Sequence, residues 1–113
     1  MSVAIGNAAE RRAAEYLQSQ GLQLRDQQAR CRQGELDLVL ADGNCWVFVE
    51  VKARRSQQFG GGLAAVTASK QARLRSAANW YLSRHRATDQ PCRFDVVEVN
   101  LQTDELTWIR NAF

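Results

Sequence analysis

Residues 34–52 read GELDLVLADGNCWVFVEVK. Two runs of alternating apolar residues flank Gly43–Asn44, the pattern of a β-hairpin with a two-residue turn. Side chains alternate faces along a strand. Leu36, Leu38 and Leu40 are therefore expected on one face of the first strand, and Val47, Val49 and Val51 on one face of the second. The opposite face carries Glu35, Asp37 and Val39, then Trp46, Phe48, Glu50 and Lys52. The turn pairs Asp42 with Cys45 and Leu40 with Val47. Continued, this register sets Leu36 against Val51 and Asp37 against Glu50. Turn and pattern agree, because a slip of one residue would send the two apolar rows to opposite faces.

Directly opposite residues have Cβ atoms about 4.5–5.5 Å apart. Two ionised carboxylates at about 5 Å repel by roughly 3 kcal/mol at an effective dielectric near 20. That is a large share of a domain stability of about 5–15 kcal/mol. A shared proton, the Lys52 ammonium or a divalent cation could each offset it. Magnesium is commonly held by one or two carboxylates plus water, at about 2.1 Å. The plainer reading is a surface ion pair of Glu50 or Glu35 with Lys52, of the weak kind exposed sheets carry. Spacing alone does not separate the two, although Trp46 and Phe48 argue against a merely solvated face.

The metal reading has a chemical logic. Hydrolysis of a phosphodiester needs a cation to polarise the phosphate and lower the pKa of the attacking water. It also needs a positive group near the developing charge. Asp37 and Glu50 would hold the metal, with the main-chain carbonyl of Val51 as a further ligand. Lys52 would orient water or stabilise the transition state.

Around the hairpin the chain alternates helical and extended patterns. Residues 8–20 read as a helix, with Asn7 as N-cap, Glu10 at N3 of a capping box and Gly21 as its stop. Residues 22–28 are a weak strand. The segment 56–66, with FGGG, reads as a loop whose glycines serve a turn or hinge, since it lacks the spacing of a phosphate loop. Thr67 or Ser69 caps a second helix running to about Arg86. Its apolar stripe is Ala68, Gln71, Leu74, Ala78, Tyr81 and Leu82. Residues 93–99 and 106–112 are two more strands, joined by a turn near Thr103–Asp104. The order αβββαββ implies an α/β sandwich, a mixed sheet with helices on its faces.

The 113 residues fit one domain. No apolar run approaches a membrane span and no signal peptide is evident, so a cytoplasmic protein is expected. Cys31, Cys45 and Cys92 with a lone His85 do not make a zinc site, and reduced thiols are expected. Charge is segregated. Between Glu50 and Asp89 there is no acidic residue, and Lys52, Arg54, Arg55, Lys70, Arg73, Arg75, Arg84 and Arg86 give that stretch +8 while the remainder carries −5. Such a segment suits a polyanion, or is simply a solvated basic face. Thirteen of the 15 basic residues are arginine. The two lysines, Lys52 and Lys70, therefore stand out as positions where a compact ammonium is wanted.

Asp37 with Glu50-Val51-Lys52 resembles the PD-(D/E)xK motif of restriction-endonuclease-like nucleases. The wider string comprises Gly6 and Glu10, GELDL at 34–38, FVEVKAR at 48–54, FG at 59–60, Lys70, RFDVV at 93–97 and NAF at 111–113. It is similar, along almost the whole chain, to the uncharacterised bacterial YraN-like family, which is grouped by fold with archaeal Holliday-junction resolvases. The resemblance implies a restriction-endonuclease-like three-layer sandwich with its site on the central hairpin. It implies Mg2+ or Mn2+ as cofactor, DNA rather than RNA as ligand, and a homodimer. Leu36 stands where the motif usually has proline, a departure the YraN-like group shares.

The remaining candidates carry two readings each. Glu10 matches the family's helix glutamate, which in related nucleases approaches the metal, and it also fits the capping box. Lys70 is a site or phosphate contact, or a solvated lysine at a helix start that mildly disfavours cations. Glu35 is expected beside Asp37 as a supporting partner. Arg54, Arg55, Arg73 and Arg75 are candidate phosphate contacts, with Lys70. Asp95 is expected to serve the end of its strand, and Trp80 and Tyr81 to be core. The functional expectation is a metal-dependent endonuclease-like protein acting on DNA, branched or processed DNA included. The rivals are a nucleic-acid-binding module that does not cleave and a protein-interaction module.

Overall fold

Gly43 sets the frame of the sheet. It takes φ 63°, the left-handed value that primed hairpin turns place at this position. In the computed structural model, which describes residues 2–54 and 66–113 and the side chains of the first helix from Asn7 onward, Asp42 pairs with Cys45 and Leu40 with Val47, as the turn requires. The elements are α1 (Ser2–Ser19), β1 (Gln23–Cys31), β2 (Gly34–Asp42), β3 (Cys45–Arg54), α2 (Ala68–Arg84), β4 (Cys92–Asn100) and β5 (Leu106–Ile109). The five strands lie in sequence order, β1-β2-β3-β4-β5. Only β3 and β4 run parallel. The return between parallel strands needs a long crossover, and α2 supplies it. The result is the expected α/β architecture with a mixed sheet and a helix on each face.

α1 covers one face. Ala9, Ala13 and Leu17 recur every fourth residue, are fully buried, and pack on Leu38, Leu40, Val47, Val49, Val97 and Val99. The small alanines let the helix lie close to the sheet. The helix ends in a Schellman motif. Gly21 adopts φ 98°, its N–H donates to the Gln18 carbonyl, and Leu22 N–H donates to Leu17. Its start differs from expectation. Helix extends back to Ser2, so Asn7 lies inside it and the Asn7–Glu10 capping box does not form. Both side chains instead accept hydrogen bonds from Gln28 Nε2 on β1, at 2.8 and 3.1 Å.

α2 covers the other face with Leu74, Ala77, Ala78, Tyr81 and Leu82. Thr67 caps it, accepting from Lys70 N–H. Two members expected in its apolar stripe are not core. Ala68 is exposed in the first turn, and Gln71 is half-buried with its amide on the Val66 carbonyl. Tyr81 is core, edge-on to Trp46 and Phe48. Trp80 is half-buried, with the Arg84 guanidinium over its ring.

β1 is longer than the sequence pattern suggested. Its weak, polar run is held by pairing with β2, which recruits Ala29 to Cys31. β5 is shorter than expected, ending at Ile109. Residues 55–65, which include Arg55 and the FGGG run, lie outside the described residues. The three thiols are free, as expected. Among the described residues no helix is long and apolar enough to cross a membrane.

Asp95 departs from its expected role at a strand end. It sits within β4 with no exposed surface. Its carboxylate accepts from Arg93 Nε at 3.1 Å, Trp108 Nε1 at 2.9 Å and Asn111 N–H at 2.9 Å. It ties the C-terminal hairpin to the sheet.

Candidate functional site

The β2–β3 ladder follows the expected register from Asp42↔Cys45 to Leu38↔Val49 and ends there. The expected pairs Leu36–Val51 and Asp37–Glu50 are not formed. β2 continues on its other edge, where Ala29 pairs with Leu36 and Arg30 with Glu35. The alternation of faces also breaks at Asp37. Leu38 and Leu40 pack under α1, while Leu36 joins Val39 and Phe48 under α2. The two central strands therefore part at Asp37, and the parting opens the site.

Asp37 occupies the place of the missing ladder bond. Its Oδ2 accepts the Val51 N–H at 2.9 Å. A strand residue aims its N–H and C=O to the same side, so the Val51 carbonyl faces the same gap. Burial, and then the nearby Glu50 carboxylate, push Asp37 up to about 8; the Val51 N–H opposes the shift. The close approach of Asp37 and Glu50 expected from the sequence is present, although strand parting rather than cross-strand pairing produces it.

Glu50 is only 5% exposed and lies among Leu36, Phe48, Leu74, Phe94 and Phe113. Lys52 Nζ is 3.3 Å and Lys70 Nζ 3.0 Å from the same oxygen, Oε2. Lys70 sits at the third position of α2, where the helix dipole disfavours a cation, and the buried carboxylate outweighs that modest effect. The chain's two lysines, 18 positions apart in the numbering, thus meet on one oxygen.

Glu10 comes to the site from the α1 side. Burial raises its pKa, and the Glu35 and Glu50 carboxylates raise it further, while the Gln28 amide opposes them. Glu35 lines the cleft beside Asp37 and pairs with Arg30. Glu10 and Glu35 thus add to the negative field around Asp37 and Glu50. Among the described residues no three His, Cys, Asp or Glu side chains form a ready metal cage. The donors in the gap are two carboxylates and a main-chain oxygen. That set fits magnesium or manganese, which complete their shell with water and substrate oxygens, and does not suit zinc.

The nominated arginines separate. Arg73 lines the cleft with Asp37 and Lys70. Arg54 Nε lies 3.8 Å from the buried Glu98 carboxylate, and Arg75 lies over the Phe94 and Phe113 rings. These two are engaged within the fold. Arg55 lies outside the described residues. One cleft residue escaped the sequence reading: Arg32, in the two-residue turn joining β1 to β2. It lies outside the basic stretch, so the charge count passed over it; the short turn next to GELDL was the available signal.

Comparison with known proteins agrees along the chain. A model of an uncharacterised protein family, UPF0102, matches residues 9–99. A UPF0102 protein of Pseudomonas fluorescens is 48% identical over 109 residues, covering 96% of this chain and 91% of the relative. One from Alkalilimnicola ehrlichii is 49% identical, covering 96% and 85%, and one from Nitrosomonas europaea 48%, covering 96% and 92%.

Proposed function

The chain belongs to the uncharacterised protein family UPF0102, and from that premise we propose that it is a metal-dependent nuclease that hydrolyses phosphodiester bonds in DNA. The observation that carries this reading is the convergence of Asp37 and Glu50 at a break in the central ladder, with two ammonium groups on the same site. Structural carboxylates in a sheet are normally saturated by donors. Among the described residues Asp37 accepts from a single main-chain donor, and it faces another carboxylate.

Asp37, Glu50 and the Val51 carbonyl would hold Mg2+ or Mn2+. The ion supplies charge to polarise the scissile phosphate and to acidify a water. The Val51 N–H fixes the Asp37 carboxylate in the gap. Lys52 and Lys70 neutralise Glu50, and an ammonium at this place would stabilise negative charge developing on the phosphate. Glu10 and Glu35 add negative charge that favours the cation.

One observation favours a second reading. Glu50 already has two cations on Oε2, so the site is largely compensated without metal. A nucleic-acid-binding module that does not cleave would look the same. Incubating labelled single strands, duplexes, flaps and four-way junctions with Mg2+ or Mn2+ separates the two, with Lys52→Ala in parallel. Cleavage by the wild type alone supports the nuclease. Salt-sensitive binding without cleavage on any substrate supports the binding module.

A further inference from the structure

Beside the carboxylates lies a cleft of about 410 Å³, lined by Arg32, Gln33, Gly34, Glu35, Asp37, Lys70, Arg73 and Leu74. Its acidic floor belongs to the site described above. Its rim is basic and comes from two elements distant in sequence, the β1–β2 turn and the second turn of α2. They abut closely: a Cβ on Gly34 would lie 3.9 Å from both Cβ and the carbonyl oxygen of Arg73. The turn that carries Arg32 is thereby held against the part of α2 that carries Arg73, and both arginines line the cleft.

The other arginines show why these two matter. Arg12, Arg30, Arg54 and Arg93 each lie on a carboxylate. Arg75, Arg84 and Arg110 lie over aromatic rings. Among the described residues Arg11, Arg25, Arg32, Arg73 and Arg86 have neither kind of partner, and of these only Arg32 and Arg73 line this cleft, together with Glu35 and Asp37. Glu35 is taken by Arg30, and Asp37 by the Val51 N–H. Two exposed guanidinium groups at a shared rim repel each other unless an anion lies between them, and guanidinium forks match phosphate oxygens.

We propose that Arg32 and Arg73 form a phosphate clamp for the nucleotide next to the scissile one, so that the strand runs from this rim across Asp37 and Glu50. The inference rests on the nucleic-acid reading above and deepens it by naming where the strand is gripped and by which residues. The clamp positions the strand and takes no part in bond breaking. It recognises a phosphodiester backbone and carries no base specificity.

The test is binding of fluorescent single-stranded and duplex oligonucleotides in metal-free buffer across a potassium chloride series. Arg32→Gln and Arg73→Gln are compared with wild type and with Arg110→Gln, whose guanidinium lies over Trp108 outside the basic stretch. Both clamp positions are exposed, and thermal melts confirm that the variants fold. Each clamp substitution is expected to weaken binding several-fold at low salt and reduce the slope of log K against log salt by about 1, while Arg110→Gln leaves it unchanged. Wild-type binding with an unchanged slope in both clamp variants would overturn the clamp and leave the nucleic-acid reading standing. No binding by the wild type to any oligonucleotide overturns both.

Discussion

Asp37, half-buried, and Asp95, fully buried, are aspartates on the same sheet, and their surroundings are opposite. Asp95 accepts from a guanidinium, an indole and a main-chain N–H, a full set of donors for one carboxylate. Asp37 accepts from one main-chain N–H and faces Glu50. The first arrangement holds the chain together. The second costs stability unless something positive arrives. A buried acid alone therefore says little about function; the count and sign of its partners decide.

Four measurements would break or sharpen this contrast. The largest expected effect on folding is from Asp95→Ala. Removing one partner of a buried ionic network leaves the others uncompensated, a loss of about 3–5 kcal/mol. Urea unfolding reads it directly, and a loss under about 1 kcal/mol would erase the distinction. Asp37→Asn should do the reverse. The asparagine amide oxygen still accepts from Val51 while the repulsion with Glu50 disappears, so the melting temperature in metal-free buffer is expected to hold or rise. Nuclease activity should fall by a factor on the order of 10²–10³, comparable to losing one preorganised electrostatic group.

A double-mutant cycle on Lys52 and Lys70 comes next. Either lysine still compensates Glu50 when the other is replaced by methionine, so each single loss is expected near 1 kcal/mol or below. The double variant should cost clearly more than the sum, because Glu50 then lies buried without a cation. Additive losses would show that the two ammonium groups do not share one oxygen in solution.

The fourth measurement is the slope of stability with pH. Asp37 is raised from 3.8 to about 8 in the fold. The unfolded chain therefore releases this proton first as pH rises. The folded state keeps the Asp37 contribution fully below about pH 4, loses it progressively up to about pH 8, and changes little above that. Compared at pH 5 and pH 8 without metal, wild type should lose more stability than Asp37→Asn. Magnesium should reduce the wild-type loss at pH 8, since it holds the carboxylate ionised. Equal slopes in wild type and variant would show that Asp37 titrates near its ordinary value.

Much of the site was legible because it follows from short-range rules. Alternation and the two-residue turn set the register of Leu40 with Val47, and a charge pair that did not belong in a buried strand drew attention to Asp37 and Glu50. Scarcity of lysine singled out Lys52 and Lys70 before any contact was known. The capping box at Asn7 failed for the same short-range reason: the motif spans only the four residues 7–10, whereas the helix extends back to Ser2. Asp95 was misread because its partners Trp108 and Asn111 lie in a different hairpin strand and its tail.

The sequence by itself determined the order αβββαββ, the hairpin register near its turn and which two carboxylates to examine, since propensity, pleat and turn geometry act within a few residues, and it narrowed the α2 cap to Thr67 or Ser69. Tertiary structure alone decided where β2 leaves β3, that Leu36 changes faces, that two lysines meet on one Glu50 oxygen, and that Arg32 and Arg73 line one cleft. The physical reason is competition for the two edges of β2. β1 and β3 both pair with it, α1 and α2 press on opposite faces, and the strands part where those demands can no longer be met together.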